Sequence, residues 1–303
     1  MQLDLRHFAA RRGIVLVSLA AVLWGTVGIA TQAVYHQSEL NAITVGFYRL
    51  AFAFPIVAII CWKVVGKEIF KIHKPHYLTM AAIGAMLAIY QVCYFAAVGY
   101  IGVAFATLIT LCTAPVVVSL ASVVFLREPL TRASVKALIF ALAGTTLLVG
   151  FPEDSTAINN LFLGVSLSLG SAVGYAIVAM LGRSIATHCH PIHSTTVSFG
   201  VGALFLFPMA ASNCLSAQYT GEIMSLLLYI GLVPTAVAYS LFFLGMRNVK
   251  ASTASILTMI EPLTATILAW FIFDERLALS GISGALLLLL AIVVLYRGER
   301  SQS

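Results

Sequence analysis

An acidic residue lies near the middle of an apolar segment that is long enough to cross a membrane. The segment runs from Ala251 to Phe273 with Glu261 near its centre, and at about 1.5 Å per residue it spans a hydrocarbon core of ~30 Å. A carboxylate at that depth costs roughly 2.5 kcal/mol or more, so it is a functional candidate. Pro262 follows and, lacking an N–H, frees a carbonyl one turn earlier and bends the helix. The pattern predicts a substrate-amine contact or a proton carrier at Glu261; the alternative is a structural acid hydrogen-bonded to a neighbouring helix.

One basic residue, Arg49, lies inside another apolar segment. Glu261 follows Lys250 by about three helical turns, and Arg49 follows Asn41 by about two. The acid is therefore ~16 Å from one membrane face and the base ~12 Å from the other, so that in a core of ~30 Å their depths differ by only a few ångströms. We expect the two charges to form an ion pair or to hold a zwitterionic substrate jointly. The alternative is that Arg49 extends to the outer lipid headgroups.

The composition identifies the class of protein that must position these charges. The chain has 303 residues, of which 61% are hydrophobic and 9% are charged, and its mean hydropathy is +1.01. Soluble domains carry about 25% charged residues, so this composition indicates a membrane protein with many spans. The net charge of +6 does not predict nucleic-acid binding, because the basic residues lie in short loops between apolar segments.

Ten apolar segments meet the length that a membrane helix requires. We predict an all-α membrane protein with ten transmembrane helices, because the longest connections are too short to hold a soluble domain. The predicted helices occupy residues 13–34, 43–62, 77–98, 102–125, 134–150, 161–182, 193–212, 223–245, 251–273 and 280–296.

The distribution of Lys and Arg predicts the orientation in the membrane. If the N-terminus is cytoplasmic, the loops on that side collect almost all of the basic residues, and the outer loops hold only Arg276. Basic loops stay in the cytoplasm. We therefore predict cytoplasmic N- and C-termini in a bacterial inner membrane, with an organelle membrane as the alternative.

The two halves of the chain share a pattern. An ungapped comparison pairs Pro115 with Pro262 and aligns a Glu-x-Leu sequence in the loop after each proline-containing helix. We predict two five-helix repeats, at residues 13–150 and 161–296, with the paired prolines as hinges. Because five is odd, the second repeat is inverted relative to the first, and a central cavity at the repeat interface is the expected substrate site.

Two helix endings carry a family signature, AP…FLREPL at residues 114–130 and EP…FDERL at residues 261–277. Together with Leu23-Trp24-Gly25 in helix one and FYRL at residues 47–50, they make nearly the whole chain resemble the EamA family of the drug/metabolite transporter superfamily. The resemblance implies a ten-helix basket whose central cavity is lined mainly by helices 1, 3, 4, 6, 8 and 9. It also implies export of small metabolites, amino acids or drugs. Within the family, the Glu-Pro pair is widespread regardless of substrate.

Aromatic and polar side chains on the implied cavity helices are the candidate substrate contacts. Polar atoms inside a bilayer need partners, so Gln91 and the hydroxyl groups are expected to face protein or a wet cavity instead of lipid. For any single residue the alternative is ordinary helix packing through small and hydroxyl side chains. In addition to Glu261 and Arg49, the predicted contacts are Trp24, Tyr90, Gln91, Tyr94, Thr110, Tyr175, Tyr239, Ser255 and Thr258.

The charge pattern limits the substrate. Translocators of phosphorylated substrates need intramembrane Lys or Arg to hold the phosphate, and here Arg49 stands alone. One acid, one base and several aromatic rings suit a zwitterionic amino acid, including an aromatic or hydrophobic one, whose ammonium can meet Glu261 and the ring faces. The alternative is efflux of drugs or lipophilic cations, for which Glu261 and the rings suffice. Export follows from the family resemblance, and coupling to protons or passive exchange is expected because no multi-carboxylate sodium site is evident.

Other classes of function lack their sequence patterns. We expect no enzyme, because HExxH, GxSxG and a second intramembrane acid are absent from the sequence. The HCHPIH tract at residues 188–193 resembles a metal-binding sequence, but no Cys or acid cluster completes it, so we expect neither a metal nor a cofactor. The expected partners are the lipid bilayer, a small-molecule substrate and protons, for a monomer or homodimer.

Overall fold

The computed structural model describes residues 2–38, 40–66, 74–149, 161–186, 188–212, 219–273 and 279–301. All regular secondary structure within these ranges is helical. Glu275 and Arg276, which entered the repeat and orientation arguments, lie outside the described residues.

The described residues form eleven α-helices and one π turn. The predicted all-α fold of ten membrane helices is confirmed, since nine segments of the described part are long and apolar enough to cross a membrane and the 18-residue α4 is the tenth apolar helix. Membrane helix eight consists of α7, the π turn and α8, and membrane helix nine consists of α9 and α10. The helices are α1 Gln2–Gln37, α2 Ala42–Val65, α3 Lys74–Phe125, α4 Arg132–Val149, α5 Leu161–Ile185, α6 Pro191–Ser212, α7 Gly221–Gly231, α8 Ala238–Gly245, α9 Ala251–Leu257, α10 Ile260–Phe273 and α11 Leu279–Ser301, with the π turn at Leu232–Val237.

Helix α3 contains both the third and the fourth membrane helix. Its 52 residues would extend about 78 Å in a straight helix, more than twice the hydrocarbon thickness. The Tyr94 hydroxyl nevertheless lies 2.6 Å from the Thr107 hydroxyl, although a straight helix would separate the two residues by about 20 Å. The chain therefore reverses between them, and no non-helical residue separates the two antiparallel arms.

The packing of the helices repeats between the two halves. Helix α5 packs against α3, which supplies membrane helices three and four, and α1 packs against membrane helices eight and nine through α7, α8, α9 and α10. Two other contacts pair a helix with its own counterpart, α2 with α6 and α4 with α11. Exchanging the halves preserves all of these contacts, as expected for two inverted repeats around a central cavity.

Small residues set the distances between several of these helices. A Cβ at Gly144 of α4 would come within 2.8 Å of the Gly284 carbonyl oxygen of α11, and a Cβ at Gly284 would come within 2.6 Å of the Gly144 oxygen. Close backbone approach of this kind is how helices associate without a hydrophobic driving force in lipid. The main apolar core extends from α4 and α11 to the fully buried Phe199, Phe242 and Phe243.

Candidate functional site

Glu261 lies where membrane helix nine is interrupted. Helix α9 ends at Leu257 and α10 begins at Ile260. Because Pro262 has no N–H, the Thr258 carbonyl oxygen cannot form its regular helical bond with it, and it instead accepts the Glu261 N–H at 3.0 Å. The acid therefore lies in the first turn of a half-helix, where free N–H groups and the helix dipole favour a negative charge.

Helix α1 packs directly against this interruption through Gly25. A Cβ at Gly25 would come within 2.7 Å of the Glu261 carbonyl oxygen and 2.6 Å of Thr264 Cβ. Only a glycine fits there without displacement of the neighbouring backbone. The Leu23-Trp24-Gly25 sequence of helix one thus has a direct structural role at the acid.

The Glu261 side chain lies inside the helix bundle. It is enclosed by protein but retains accessible surface, and its carboxylate makes no hydrogen bond to any described residue. Its charge interacts with Arg49 and with the tyrosines at 94, 175 and 239. The alternative of a structural acid bonded to a neighbouring helix has no supporting bond among the described residues.

Arg49 is held inside the bundle by helix eight. Its Nε donates a hydrogen bond of 2.7 Å to Thr235 Oγ1, and its guanidinium carbon lies 6.0 Å from the centroid of the Tyr239 ring. The expected ion pair with Glu261 is not formed, since the salt bridge between described residues joins Arg183 and Glu128. The alternative extension of Arg49 to the headgroups is also not observed. Its Nη groups make no hydrogen bond to any described residue.

Five of the predicted contacts form one cluster. The hydroxyl groups of Tyr90 and Tyr239 lie 2.6 Å apart, and the rings of Tyr90 and Tyr175 meet edge to face with centroids 6.1 Å apart. Tyr175 donates to Thr258 Oγ1 at 3.4 Å, while Trp24 packs on Tyr239 at 4.9 Å between centroids. Like Glu261, Tyr90 and Tyr175 lie inside the bundle and keep part of their surface accessible.

The other predicted contacts have different surroundings. Tyr94 bonds Thr107 across the turn of α3, and Thr110 donates at 3.3 Å to a carbonyl oxygen of α5. Gln91 is only 4% exposed, and neither of its amide atoms has a partner among the described residues. Ser255 is fully buried and donates at 2.9 Å to the Ser252 carbonyl oxygen of its own helix. Pro115 lies within the unbroken second arm of α3.

Pro234 and Thr235 were not among the predicted site residues, yet they form the centre of the π turn in helix eight. Pro234 has no N–H for the Ile230 carbonyl oxygen, and the Thr235 hydroxyl donates to that oxygen at 2.7 Å. The proline in the middle of the apolar segment GLVPTAVAY could have indicated an irregular turn at this position. Single π turns inside α-helices occur frequently at functional sites.

A polar network joins helix ends at one end of the bundle, the end that the sequence predicts to be cytoplasmic. Arg183 Nε at the end of α5 donates at 2.8 Å to Glu128 Oε1, and Glu128 Oε2 accepts the Ala251 N–H at 2.9 Å. Arg183 Nη1 also donates at 2.7 Å to the Met246 carbonyl oxygen. We call this the Glu128 network. Through it, Glu128 connects the loop after α3 to the end of α5 and the start of α9.

The histidine tract lies close to the same end. Within the described ranges, no group of three or more His, Cys, Asp and Glu side chains is arranged to hold a metal ion. Burial and the nearby charge of Arg247 lower the pKa of His190, which disfavours a positive charge on this ring.

Comparison with known proteins identifies the family. The model of the EamA-like transporter family matches residues 11–150 and 162–297. The uncharacterized transporter YwfM of Bacillus subtilis (strain 168) is 30% identical over 286 residues, which cover 94% of each chain. An uncharacterized transporter of Archaeoglobus fulgidus is 32% identical over 292 residues, covering 95% of this chain and 97% of the relative.

Two further comparisons agree with these. The uncharacterized inner membrane transporter YicL of Salmonella typhimurium is 26% identical over 306 residues, covering 97% of this chain and 98% of the relative. A solved crystal structure with 20% identity superposes with a TM-score of 0.80 over 96% of this chain and 99% of its own, which shows the same fold. The chain belongs to the EamA-like transporter family.

Proposed function

We propose that this chain is a secondary transporter that exports small zwitterionic metabolites, such as hydrophobic or aromatic amino acids, across an inner membrane by alternating access. One observation carries the proposal. Glu261 and Arg49 both act electrostatically on Tyr239, and each has hydrogen-bonding groups that no described residue occupies. The name of the relative YicL supports the inner membrane.

The substrate ammonium is assigned to Glu261. Its carboxylate retains accessible surface and is near Tyr94 and Tyr175. Ring faces attract a cation, and they do so more strongly when water is excluded. An amine placed between this acid and the rings would make both kinds of contact.

The substrate carboxylate is assigned to Arg49. With Nε bonded to Thr235, the two Nη groups remain, and a guanidinium can bind a carboxylate through two parallel hydrogen bonds. The Tyr239 ring beneath the guanidinium keeps it among the aromatic residues. A substrate with both charges on one small group can therefore satisfy both side chains.

The fold supports alternating access. Inverted repeats place a substrate site near the midplane, and rocking of the halves exposes it to each side in turn. The Glu128 network joins helix ends at the predicted cytoplasmic end, where it would have to break if that end opens. Export is the direction implied by the resemblance to exporters of this family.

A second candidate function is the efflux of lipophilic cations or drugs. It is favoured by the free carboxylate of Glu261 beside Tyr94 and Tyr175, which could bind a cation without Arg49. The two candidates differ in their need for the base.

Transport assays in liposomes test both candidates. Purified wild-type protein is expected to move labelled phenylalanine and leucine, and Glu261→Gln and Arg49→Gln should each lower the rate about tenfold or more, since a hydrogen bond to a charged group is worth about 1.5–3 kcal/mol. A cationic dye is the comparison substrate. Transport of the dye by the wild type and by Arg49→Gln, without amino-acid transport by either, would support the second candidate and overturn the first.

A further inference from the structure

We infer that Thr235 is a positioning residue that makes the site selective for substrates with a carboxylate. Its hydroxyl fixes Arg49 through Nε and leaves both Nη groups for the substrate. The inference rests on the proposed function, because it assumes that Arg49 binds the substrate carboxylate.

The first step is the π turn. Proline at position 234 leaves the Ile230 carbonyl oxygen without its regular N–H donor, and an unpaired carbonyl is costly inside a membrane. A threonine hydroxyl in a regular helix reaches the carbonyl three or four residues earlier. Here Thr235 reaches five residues back, to Ile230, at 2.7 Å, as the wider turn allows.

The second step is the direction of the hydrogen bonds. A hydroxyl has one proton to donate, and Thr235 gives it to Ile230. Its lone pairs therefore remain as the acceptor for Arg49 Nε at 2.7 Å, and arginine can only donate. Thr235 is fully buried, so a substrate does not reach it and its influence must pass through Arg49.

The third step is the restriction of the guanidinium plane. The Nε edge is bonded to Thr235, and the guanidinium carbon lies over the Tyr239 ring at 6.0 Å from its centroid. The Tyr239 hydroxyl is in turn hydrogen-bonded to that of Tyr90. Gly231 lets α2 approach the π turn, since a Cβ there would lie 2.8 Å from Phe52 Cβ. The hydrogen bond and the ring contact together restrict the direction in which the Nη groups point.

The consequence is a rigid receptor for a planar anion. Carboxylates pair with the fork of a guanidinium through two parallel hydrogen bonds, and this pairing depends on orientation as well as charge. Without the Thr235 hydroxyl, Arg49 keeps its charge but loses its fixed direction. Recognition of carboxylate over amide should then weaken, while contacts to the ammonium and side chain of the substrate persist.

Thr235→Val tests the inference because it keeps the shape of threonine and removes the hydroxyl, and Thr235→Ser is the matched control that restores it. The assay compares transport of phenylalanine with that of phenylalaninamide, which has no carboxylate, in liposomes. We expect Thr235→Val to raise KM for phenylalanine about tenfold and to leave the amide unchanged. Thr235→Ser should behave as the wild type.

The outcomes separate this inference from the proposed function. If the wild type does not prefer phenylalanine to its amide, the proposed function fails. If the wild type prefers phenylalanine and Thr235→Val keeps the full preference, only the role of Thr235 is overturned. The ratio of the two substrates does not depend on the amount of folded protein, and Thr235→Cys replaces the valine variant if that variant does not fold.

A double-mutant cycle provides a test that needs no substrate. The Tm of the detergent-purified protein is measured for wild type, Thr235→Val, Arg49→Gln and the double variant. If Thr235 holds Arg49, Thr235→Val should lower Tm less in the Arg49→Gln background than in the wild type. Equal shifts in both backgrounds would show that the hydroxyl serves only the Ile230 carbonyl oxygen, which would overturn the inference.

Discussion

The two charges in the site are held by different means. Glu261 is placed by its position in the first turn of α10, where the backbone favours an anion, and no described side chain bonds to it. Arg49 is placed by a specific acceptor, Thr235. Because each charge is held without a direct ion pair to the other, both would remain available to the zwitterionic substrate of the proposed function.

Replacing Glu261 by glutamine tests whether it carries a proton. If it does, an imposed pH gradient changes the rate of phenylalanine transport by the wild type, whereas the residual transport of Glu261→Gln no longer responds, because an amide does not exchange a proton between the two sides. Glu222→Gln, at the start of α7, is the control and should respond as the wild type. A residual rate that follows the gradient as before would eliminate the proton role.

At the scale of elements, proline and glycine decide how the helices serve the site. Pro262 accompanies the interruption between α9 and α10, and Pro234 accompanies the π turn. In each case a missing N–H changes the partner of a carbonyl. Gly25 then lets α1 lie against the interruption.

Two glycines of α1 provide a matched pair of substitutions. A Cβ at Gly25 would meet the Glu261 carbonyl oxygen at 2.7 Å, whereas a Cβ at Gly28 would meet nothing within 4 Å. We expect Gly25→Ala to destabilise the protein by about 1–3 kcal/mol through overpacking and to slow transport. Gly28→Ala should be neutral or slightly stabilising, since alanine favours helix more than glycine. Thermal unfolding in detergent measures both, and equal Tm values would contradict the close approach of α1 to α10.

Positions along a helix could be predicted from the sequence, whereas contacts between helices could not. The similar depths predicted for Arg49 and Glu261 follow from counting residues along each helix. The partner of Arg49 could not be derived in the same way, because it depends on which helix faces α2 and on how Pro234 rearranges that helix. Ser255 was chosen from its spacing along helix nine, but spacing alone does not show that a neighbouring helix buries it.

At the scale of the whole molecule, a polar network links three helix ends at one end of the bundle. The Glu128 network joins the end of α3, the end of α5 and the start of α9. The proposed alternating access would require these helix ends to separate. The network is therefore expected to favour the state described here over a state open at the predicted cytoplasmic end.

Glu128→Gln is expected to open that end more often. A glutamine side chain is neutral and has one acceptor oxygen, so it cannot replace the two charge-assisted hydrogen bonds that the Glu128 carboxylate accepts from Arg183 and the Ala251 N–H. Ser252, only 1% exposed, is replaced by cysteine in a background without the five native cysteines, and its reaction with a thiol reagent is timed. Labelling should be faster with Glu128→Gln and unchanged with the control Glu222→Gln. No acceleration would show that the network does not limit opening.

The fold was more predictable than the site for a physical reason. A bilayer requires apolar helices of a minimum length, so the number and type of the elements follow from hydropathy. The predicted segments 43–62 and 193–212, for example, correspond to α2 and α6. The sequence did not predict that the third and fourth membrane helices join without a non-helical loop in α3, because the residues between the two arms are as apolar as the arms themselves. Contacts such as Arg49 to Thr235 join residues far apart in sequence, and no local pattern reports them.

Helix α9 has one further property. Its seven residues are all buried and extend about 10 Å, from the Ala251 N–H held by Glu128 to Thr258, which accepts from Tyr175. It therefore connects the Glu128 network rigidly to the proposed substrate site. Thermodynamic linkage is reciprocal. If binding of a substrate changes the equilibrium between the formed and the broken network by some factor, then breaking the network changes the affinity for that substrate by the same factor.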